Sequence, residues 1–299
     1  DWSSDVCSSD LMDGSQRGTV MKCKLLSAQT LIDVLNALSC GDKNEQVRID
    51  ISDTGLSFYV NDKTKAIQLS THLPTALFDE YSIEGQIDSV TCTLEPFSKC
   101  VSIFGSSKLM LTTLQMMYSS DERCIKLVLD ENEMHSECQI KTLLTVEDVA
   151  DYAPLFTDDY TLLGAVVDPP ALRCAFSEVD AMKSASEIEI ACHPEGGICV
   201  SCCDSLLSYD GFLDNIGSIL SEFYCKEEKS WKYSRALALR CTKPLTLALK
   251  SFLRINVDGI ICLQHLLNDD AETHLYIDCF IHPLASVSQI GRASCRERV

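Results

Sequence analysis

The chain has 299 residues, 46% apolar and 23% charged, the proportions of a folded globular protein rather than a disordered one. Its formal charge of -19 at pH 7 excludes broad electrostatic attraction to nucleic acid, so any such contact has to come from a local basic stripe. No apolar run approaches the roughly 18 to 20 residues that cross a bilayer as a helix, and the first dozen residues lack the basic start and apolar stretch of a secretory signal.

Asp1 to Leu11, DWSSDVCSSDL, has neither helical nor strand periodicity, and Ile290 to Val299, IGRASCRERV, has none either. Both match what common short-read sequencing adapters encode in frame. Residues 1–11 and 289–299 are therefore expected to be assembly artefacts outside the fold. Seventeen cysteines are scattered through apolar runs, which points to reduced thiols packed as small hydrophobes rather than to a disulfide framework.

In chain order, Thr19 to Leu26 reads as a strand, and Leu31, Val34, Leu35 and Leu38 mark the apolar stripe of a short amphipathic helix. Gln46 to Ser52 then turns through Asp53, Thr54 and Gly55 into Leu56 to Asn61, a hairpin pattern. Strands follow at Ala66 to Leu73 and Ser89 to Leu94. A second stripe, Phe97, Cys100, Val101 and Phe104, precedes a hairpin of Lys108 to Tyr118 with Cys124 to Asp130. Thr145 to Tyr160 holds five acids and no base, the composition of a linker. Beyond it come a strand at Thr161 to Val167, a third stripe (Leu172, Ala175, Phe176, Val179), and a hairpin of Glu187 to His193 with Ile198 to Asp204. A fourth stripe, Leu245, Ala248, Leu249 and Phe252, leads to a hairpin through Asp258 and Gly259 and to a cleanly alternating strand, His274 to Ile281. The pattern is an α+β chain of four helix-then-strands units. It predicts two pseudo-duplicated domains, residues 12–144 and 161–288, with helices on one face of antiparallel sheets and residues 145–160 between them.

Signals for chemistry are weak. Glu187 and Glu189 share one face of a strand, but Ile188 and Ile190 between and beyond them read as the core face, which leaves the glutamates in water. Cys192, His193, Cys199, Cys202 and Cys203 invite a zinc reading, yet Cys199 and Cys202 stand three apart on a strand and face opposite ways, so core thiols are expected. The chain holds no phosphate loop, no dinucleotide fingerprint, no nucleophile elbow and no histidine pair with metal-ligand spacing. Catalytic residues, metals and cofactors are therefore assigned to none.

Particular runs narrow the fold. Cys100 to Leu114 (CVSIFGSSKLMLTTL), Leu172 to Asp180 (LRCAFSEVD), Lys243 to Leu249 (KPLTLAL) and the following LRINVDG and GIICLQHLL resemble the Rad-one subunit family of the heterotrimeric 9-1-1 checkpoint clamp, within the DNA sliding-clamp superfamily. The resemblance spans about Met21 to Leu284, and Leu206 to Tyr233 departs most. It implies a ring subunit whose helices line a channel around double-stranded DNA, with two other clamp subunits joined edge to edge, a clamp loader, and checkpoint and repair proteins as partners. It also implies a nuclear location, with no membrane and no cofactor. On it rest three expectations. Lys99, Lys108, Arg173, Lys183, Lys243 and Lys250 face the DNA channel, while the first helix offers only Gln29, Asp33 and Asn36, with Lys43 beyond its end. Met134 to Thr142 and roughly Leu206 to Phe212 are the sheet edges that meet partners. Tyr152, Leu155 and Phe156 line an apolar groove for partner peptides. The alternatives are a 3′ to 5′ exonuclease of the same fold and a homotrimeric replication-type clamp.

Overall fold

The structure, a computed structural model, describes residues 20–42, 44–85, 89–144, 148–270 and 273–285. The expected artefact segments, Thr19, Lys43 and residues 145–147 of the expected linker lie outside the described residues.

The first half runs β1 (Val20–Leu25), α1 (Gln29–Leu38), β2 (Gln46–Ser52), β3 (Gly55–Asn61), β4 (Ile67–Pro74), β5 (Glu80–Glu84), β6 (Ser89–Thr93), α2 (Leu94–Val101), β7 (Thr113–Ser119), β8 (Cys124–Glu131) and β9 (Met134–Lys141). The second half repeats that order as β10 (Thr161–Val167), α3 (Pro169–Ala181), β11 (Glu187–His193), β12 (Gly197–Cys203), β13 (Ser208–Asp214), β14 (Leu220–Cys225), β15 (Lys229–Ser234), α4 (Arg235–Arg240), β16 (Lys250–Asn256), β17 (Ile261–Asn268) and β18 (Leu275–Ile281). Strands in the order β5-β1-β7-β8-β9 form one sheet, and β13-β12-β11-β15 form another. The third sheet, of nine strands, is β14-β10-β16-β17-β18 continued by β4-β3-β2-β6. It is thus the five-strand order of the second half joined to the four-strand order of the first, through antiparallel pairing of β18 with β4 from Ile277↔Thr71 to Ile281↔Ile67.

The duplication reaches single residues. Gly55 opens β3 at φ +138 and Gly197 opens β12 at φ +101, and a Cβ on either would run into a backbone carbonyl, of Leu73 or of Leu213. Only glycine meets both demands at once. Likewise the free thiol of Cys138 on β9 lies beside that of Cys100 at the end of α2, as the free thiol of Cys279 on β18 lies beside that of Cys241 just after α4.

Alternation places the core between the sheets and the helices. Leu275, Ile277, Cys279 and Ile281 of β18 are buried on one face, as are Val47, Ile49 and Ile51 of β2 and Ile125, Leu127 and Leu129 of β8. The helices close that side with Leu31, Val34, Leu35 and Leu38 of α1, Phe97 and Val101 of α2, and Leu172, Ala175, Phe176 and Val179 of α3. Asp168 caps α3 by accepting from the Ala171 N–H at 3.1 Å, with Pro169 and Pro170 in the first turn, where a missing N–H costs nothing.

Two helix expectations need correction. The fourth stripe is not a helix: α4 lies earlier, at Arg235–Arg240, a 3-10 turn covers Lys243–Thr246, and Phe252 sits inside β16. Pro244 cannot donate to a helical ladder, and the burial of Ser251, Leu253 and Ile255 shows a two-residue period that outcompetes the four-residue coincidence. Similarly, α2 stops at Val101. Gly105, at φ +90, turns the chain into a 3-10 turn over Ser106–Leu111, so the expected strand from Lys108 begins only at Thr113.

Candidate functional site: helical face, sheet edges and linker groove

On the helical side α1 packs against α2 and α3 against α4, and α1 also meets the 3-10 turn Lys243–Thr246 of the second half. The exposed side chains here are balanced in charge rather than basic. Lys99 holds Glu95 one turn away at 2.6 Å, and Lys183 holds Asp180 at 2.8 Å. Arg173 is exposed on α3 and forms no ion pair among the described residues. Lys243 Nζ donates to the Ser39 carbonyl at 2.7 Å, beside an Arg240–Asp42 ion pair at 3.3 Å. Those two contacts bind the halves together at the C-terminal end of α1, where cations meet the negative end of the helix dipole.

Two of the expected channel residues are held by strands rather than by helices. Lys108 bridges to the buried Glu131 at 3.1 Å and lies against Met134, at the β9 hairpin. Lys250 opens β16 on the face opposite Ser251, whose hydroxyl meets the buried His265 at 2.9 Å on the core side. Lys250 therefore shares with Arg254 the sheet face turned away from the helices. The helical position expected of Lys250 came from reading residues 245–252 as a helix.

Arg235, which no periodicity in the sequence had marked, reaches the C-terminal end of α3. It donates to the carbonyls of Val179 (2.9 Å) and Asp180 (2.8 Å) and pairs with the Asp180 carboxylate at 3.1 Å. Lys183 and Arg235 together hold that carboxyl below its usual range, the Lys183 hydrogen bond contributing most.

The two expected edges are terminal strands. β9 ends the five-stranded sheet and β13 ends the four-stranded one, so among the described residues each presents an unpaired row of backbone groups. Apolar side chains gather beside both. Met134 of β9 is exposed, as are Met110 (74%) and Leu111 in the 3-10 turn that carries its neighbour Lys108, and Leu206, Leu207 and Phe212 are exposed at β13, with Leu206 at 88%. The β12–β13 turn is ordered: the Asp204 carboxylate accepts from the N–H of Leu206 and of Leu207 and from the Ser184 hydroxyl. Those same bonds hold its carboxyl low.

Across the β18–β4 joint, residues 148–156 run over the outer sheet face. Gln68 bonds both the N–H and the carbonyl of Ala150 at 3.0 Å. Tyr152 is buried, stacked on Phe280 with centroids 4.3 Å apart, and its hydroxyl lies 2.8 Å from His282 Nε2. Phe156 packs on Phe280 and under the Arg254 guanidinium. Beside this segment lies a groove of about 560 Å³ whose walls include Arg48, Asp50, Gln68, Ser70, Arg254 and Asp278. Tyr152 and Phe156 touch it, and Leu155 is not in its wall. The walls mix these polar groups with the rings of Tyr59 and Phe280, and the aromatic rings of the linker also fasten the linker itself. Burial pushes the Asp278 carboxyl up, against the pull of Gln264 and Arg254.

The nuclease candidates stand together on the outer face of β11, in a pocket shared with Asp210 and Lys232, while the zinc candidates of β12 are split between its two faces. Ile188 and Ile190 are buried, while Glu187 pairs with Lys232 at 3.7 Å and Glu189 accepts from Ser230 at 2.6 Å. Cys202 is buried against Met182, and Cys203 is exposed on the opposite face. Among the described residues no group of three or more His, Cys, Asp or Glu is placed to hold a metal ion.

A family model described as repair protein Rad1/Rec1/Rad17 matches residues 20–267. The chain is 25% identical over 249 residues to the DNA repair protein Rad1 of Drosophila melanogaster, covering 81% of this chain and 86% of that one. It is 23% identical over 229 residues to the cell cycle checkpoint protein RAD1 of Homo sapiens, covering 74% and 78%. Among solved structures it is similar to the PCNA2–PCNA3 complex from Sulfolobus tokodaii, with a TM-score of 0.71, 15% identity, and coverage of 89% of this chain and 100% of that one. PCNA from Thermococcus kodakaraensis gives a TM-score of 0.68 at 17% identity, covering 88% and 100%. The fold is that of the PCNA-type sliding clamps.

Proposed function

The chain belongs to the Rad1/Rec1/Rad17 repair-protein family, and from that premise we propose that it is a non-enzymatic subunit of a heterotrimeric DNA clamp acting in the nucleus in the damage checkpoint. Residues 12–144 and 161–288 are its two clamp domains. The observation that carries the reading is the β18–β4 joint. Within the chain, a five-strand sheet edge is zipped to a four-strand sheet edge; β9 and β13 are the same two edges left open. A subunit with one open edge of each kind takes one neighbour on each side, and repetition of the joint closes a ring.

In that ring the helices face the duplex. Lys99, Arg173, Lys183 and Lys243 supply sequence-independent phosphate contacts, kept weak by Glu95 and Asp180 so that the ring can slide. A clamp loader supplies the ATP chemistry, and repair and checkpoint factors dock on the outer face, where the groove under Tyr152 and Phe156 suits peptides with charged as well as aromatic side chains. The solvated, paired state of Glu187 and Glu189 speaks for a clamp over an exonuclease.

The test is the mass of the purified chain alone and mixed with two other checkpoint-clamp subunits. A monomer that becomes a 1:1:1 assembly is expected; a stable homotrimer, or a monomer that ignores both partners, overturns the reading. A Mg²⁺-dependent 3′ to 5′ activity abolished by Glu187→Ala or Glu189→Ala would establish the nuclease instead.

A further inference from the structure

The duplication fixes how each open edge would be registered against a neighbour, and that register speaks to which neighbour is refused. In the closed joint Asp278 of β18 stands directly opposite Ser70 of β4. Both side chains point to the outer sheet face, where they line one groove. On the open edges the counterpart of Asp278 is Glu137. It lies next to Cys138 as Asp278 lies next to Cys279, and the two cysteines face Leu127 and Leu263 at matching places in their hairpins and lie beside free thiols at equivalent helix ends. The counterpart of Ser70 is Asp210. Counting from the paired glycines, Gly55 faces Pro74 and Gly197 faces Asp214, so Tyr59 with Ser70 corresponds to Ser201 with Asp210. Glu137 is 72% exposed, and Asp210 is exposed on the outer face of β13 between the buried Gly211 and the core-packed Tyr209.

If β13 of one copy received β9 of a second copy in the register of the closed joint, Glu137 would stand directly opposite Asp210. Like charges directly across an antiparallel pair repel, while a basic residue there attracts. The remaining pairs carry no such conflict: Ser136 would meet Gly211 and Gln139 would meet Ser208.

We propose that Glu137 and Asp210 form a charge filter on the assembly edges: β13 rejects the β9 edge of a second copy and accepts an edge strand of a different clamp subunit that sets a lysine or arginine opposite Asp210. The proposal rests on the ring reading above and names the chemistry of one partner in it. The apolar side chains Leu206, Leu207 and Phe212 supply contact area at this edge, and Asp210 supplies the choice.

Charge reversal tests it. Glu137→Lys and Asp210→Lys, each alone, turn the repelling pair into an attracting one, and each is expected to tighten self-association about tenfold in sedimentation velocity over a concentration series. The double variant Glu137→Lys/Asp210→Lys sets like charges opposite again and is expected to return to the wild-type value. Both side chains are exposed, so folding is not at stake. Asp210→Lys is also expected to weaken uptake of the β13-side partner into the mixed ring about tenfold. If the wild-type chain joins a 1:1:1 ring but neither single reversal self-associates more tightly than wild type, the filter is overturned and the ring stands. If the wild-type chain takes up no partner at all, the ring reading itself falls and the filter with it.

Discussion

The β18–β4 joint and the open edges β9 and β13 are one structural position met in two states, and they differ less in backbone than in what covers them. β18 shows Leu275, Ile277, Cys279 and Ile281 to the core, each at most 5% exposed, whereas the corresponding face of β9 carries Met134, Ser136, Cys138 and Ile140, of which only Ile140 is buried. The closed joint adds the linker on the outside, with Tyr152 on Phe280, and on the helical side the contacts of Lys243 with Ser39 and Arg240 with Asp42. A joint that never opens can be sealed with aliphatic side chains and cross-bonds. An edge that waits for a partner has to remain soluble, and it keeps serines, a histidine and carboxylates beside its apolar residues.

The largest contrast is expected in the strand cores. Ile277→Ala should destabilise the chain by about 2 to 5 kcal/mol in urea unfolding, because a fully buried aliphatic group leaves a cavity. Ser136→Ala at the matching place on β9 should change stability by no more than about 0.5 kcal/mol. Equal losses would mean that β9 is as closed as β18.

Next come the paired glycines. Gly55→Ala and Gly197→Ala should each cost roughly 1 to 3 kcal/mol, since both need a positive φ and both abut a carbonyl. Only Gly197→Ala, which displaces β13, should also impair assembly with a partner. Loss of assembly from Gly55→Ala at unchanged fold would contradict the assignment of β13 as the docking edge.

A smaller effect is expected from the linker fastening. Tyr152→Phe removes the bond to His282 and should cost about 0.5 to 1.5 kcal/mol. Burial holds His282 below its usual value near 6.5. As pH falls the unfolded chain therefore takes up this proton first, so the contribution of His282 is present above about pH 6.5 and is lost as pH drops below it. His135, raised by Asp130 and Glu137, works in the opposite direction, so the measurement is the difference in urea midpoint between wild type and His282→Gln at pH 7.5 and 5.5. A difference that does not shrink at the lower pH would show that His282 titrates normally.

The mildest test is chemical. Cys138 is half-buried at the open edge and Cys279 is fully buried at the closed one, so a thiol-alkylating reagent should modify Cys138 first. A subunit bound at β9 should slow that modification. No protection by any partner would place the interface elsewhere.

How much of this was legible beforehand depended on the range of the interactions. The stripes at Leu31 to Leu38 and Leu172 to Val179, the hairpin turning at Gly55, and the alternation of β18 are local periodicities that burial enforces within one element, and they appear in the structure where the sequence puts them. The stripe at Leu245 to Phe252 misled because four apolar residues fit a helical period by chance, while Pro244 and the neighbouring strands β10 and β17 impose an extended path. The helical placement of Lys250 failed with it. The duplicated order of elements and the reduced thiols as core residues were properties of the sequence by itself, whereas the charge balance of the helical face emerged only with the Lys99–Glu95 and Lys183–Asp180 pairs. The pairing of β18 with β4, the opposition of Glu137 and Asp210 in a common register, the capture of the α3 end by Arg235 and the mixed walls of the linker groove were decided only by tertiary structure. Each joins residues far apart in the chain through backbone ladders whose partners no local pattern specifies.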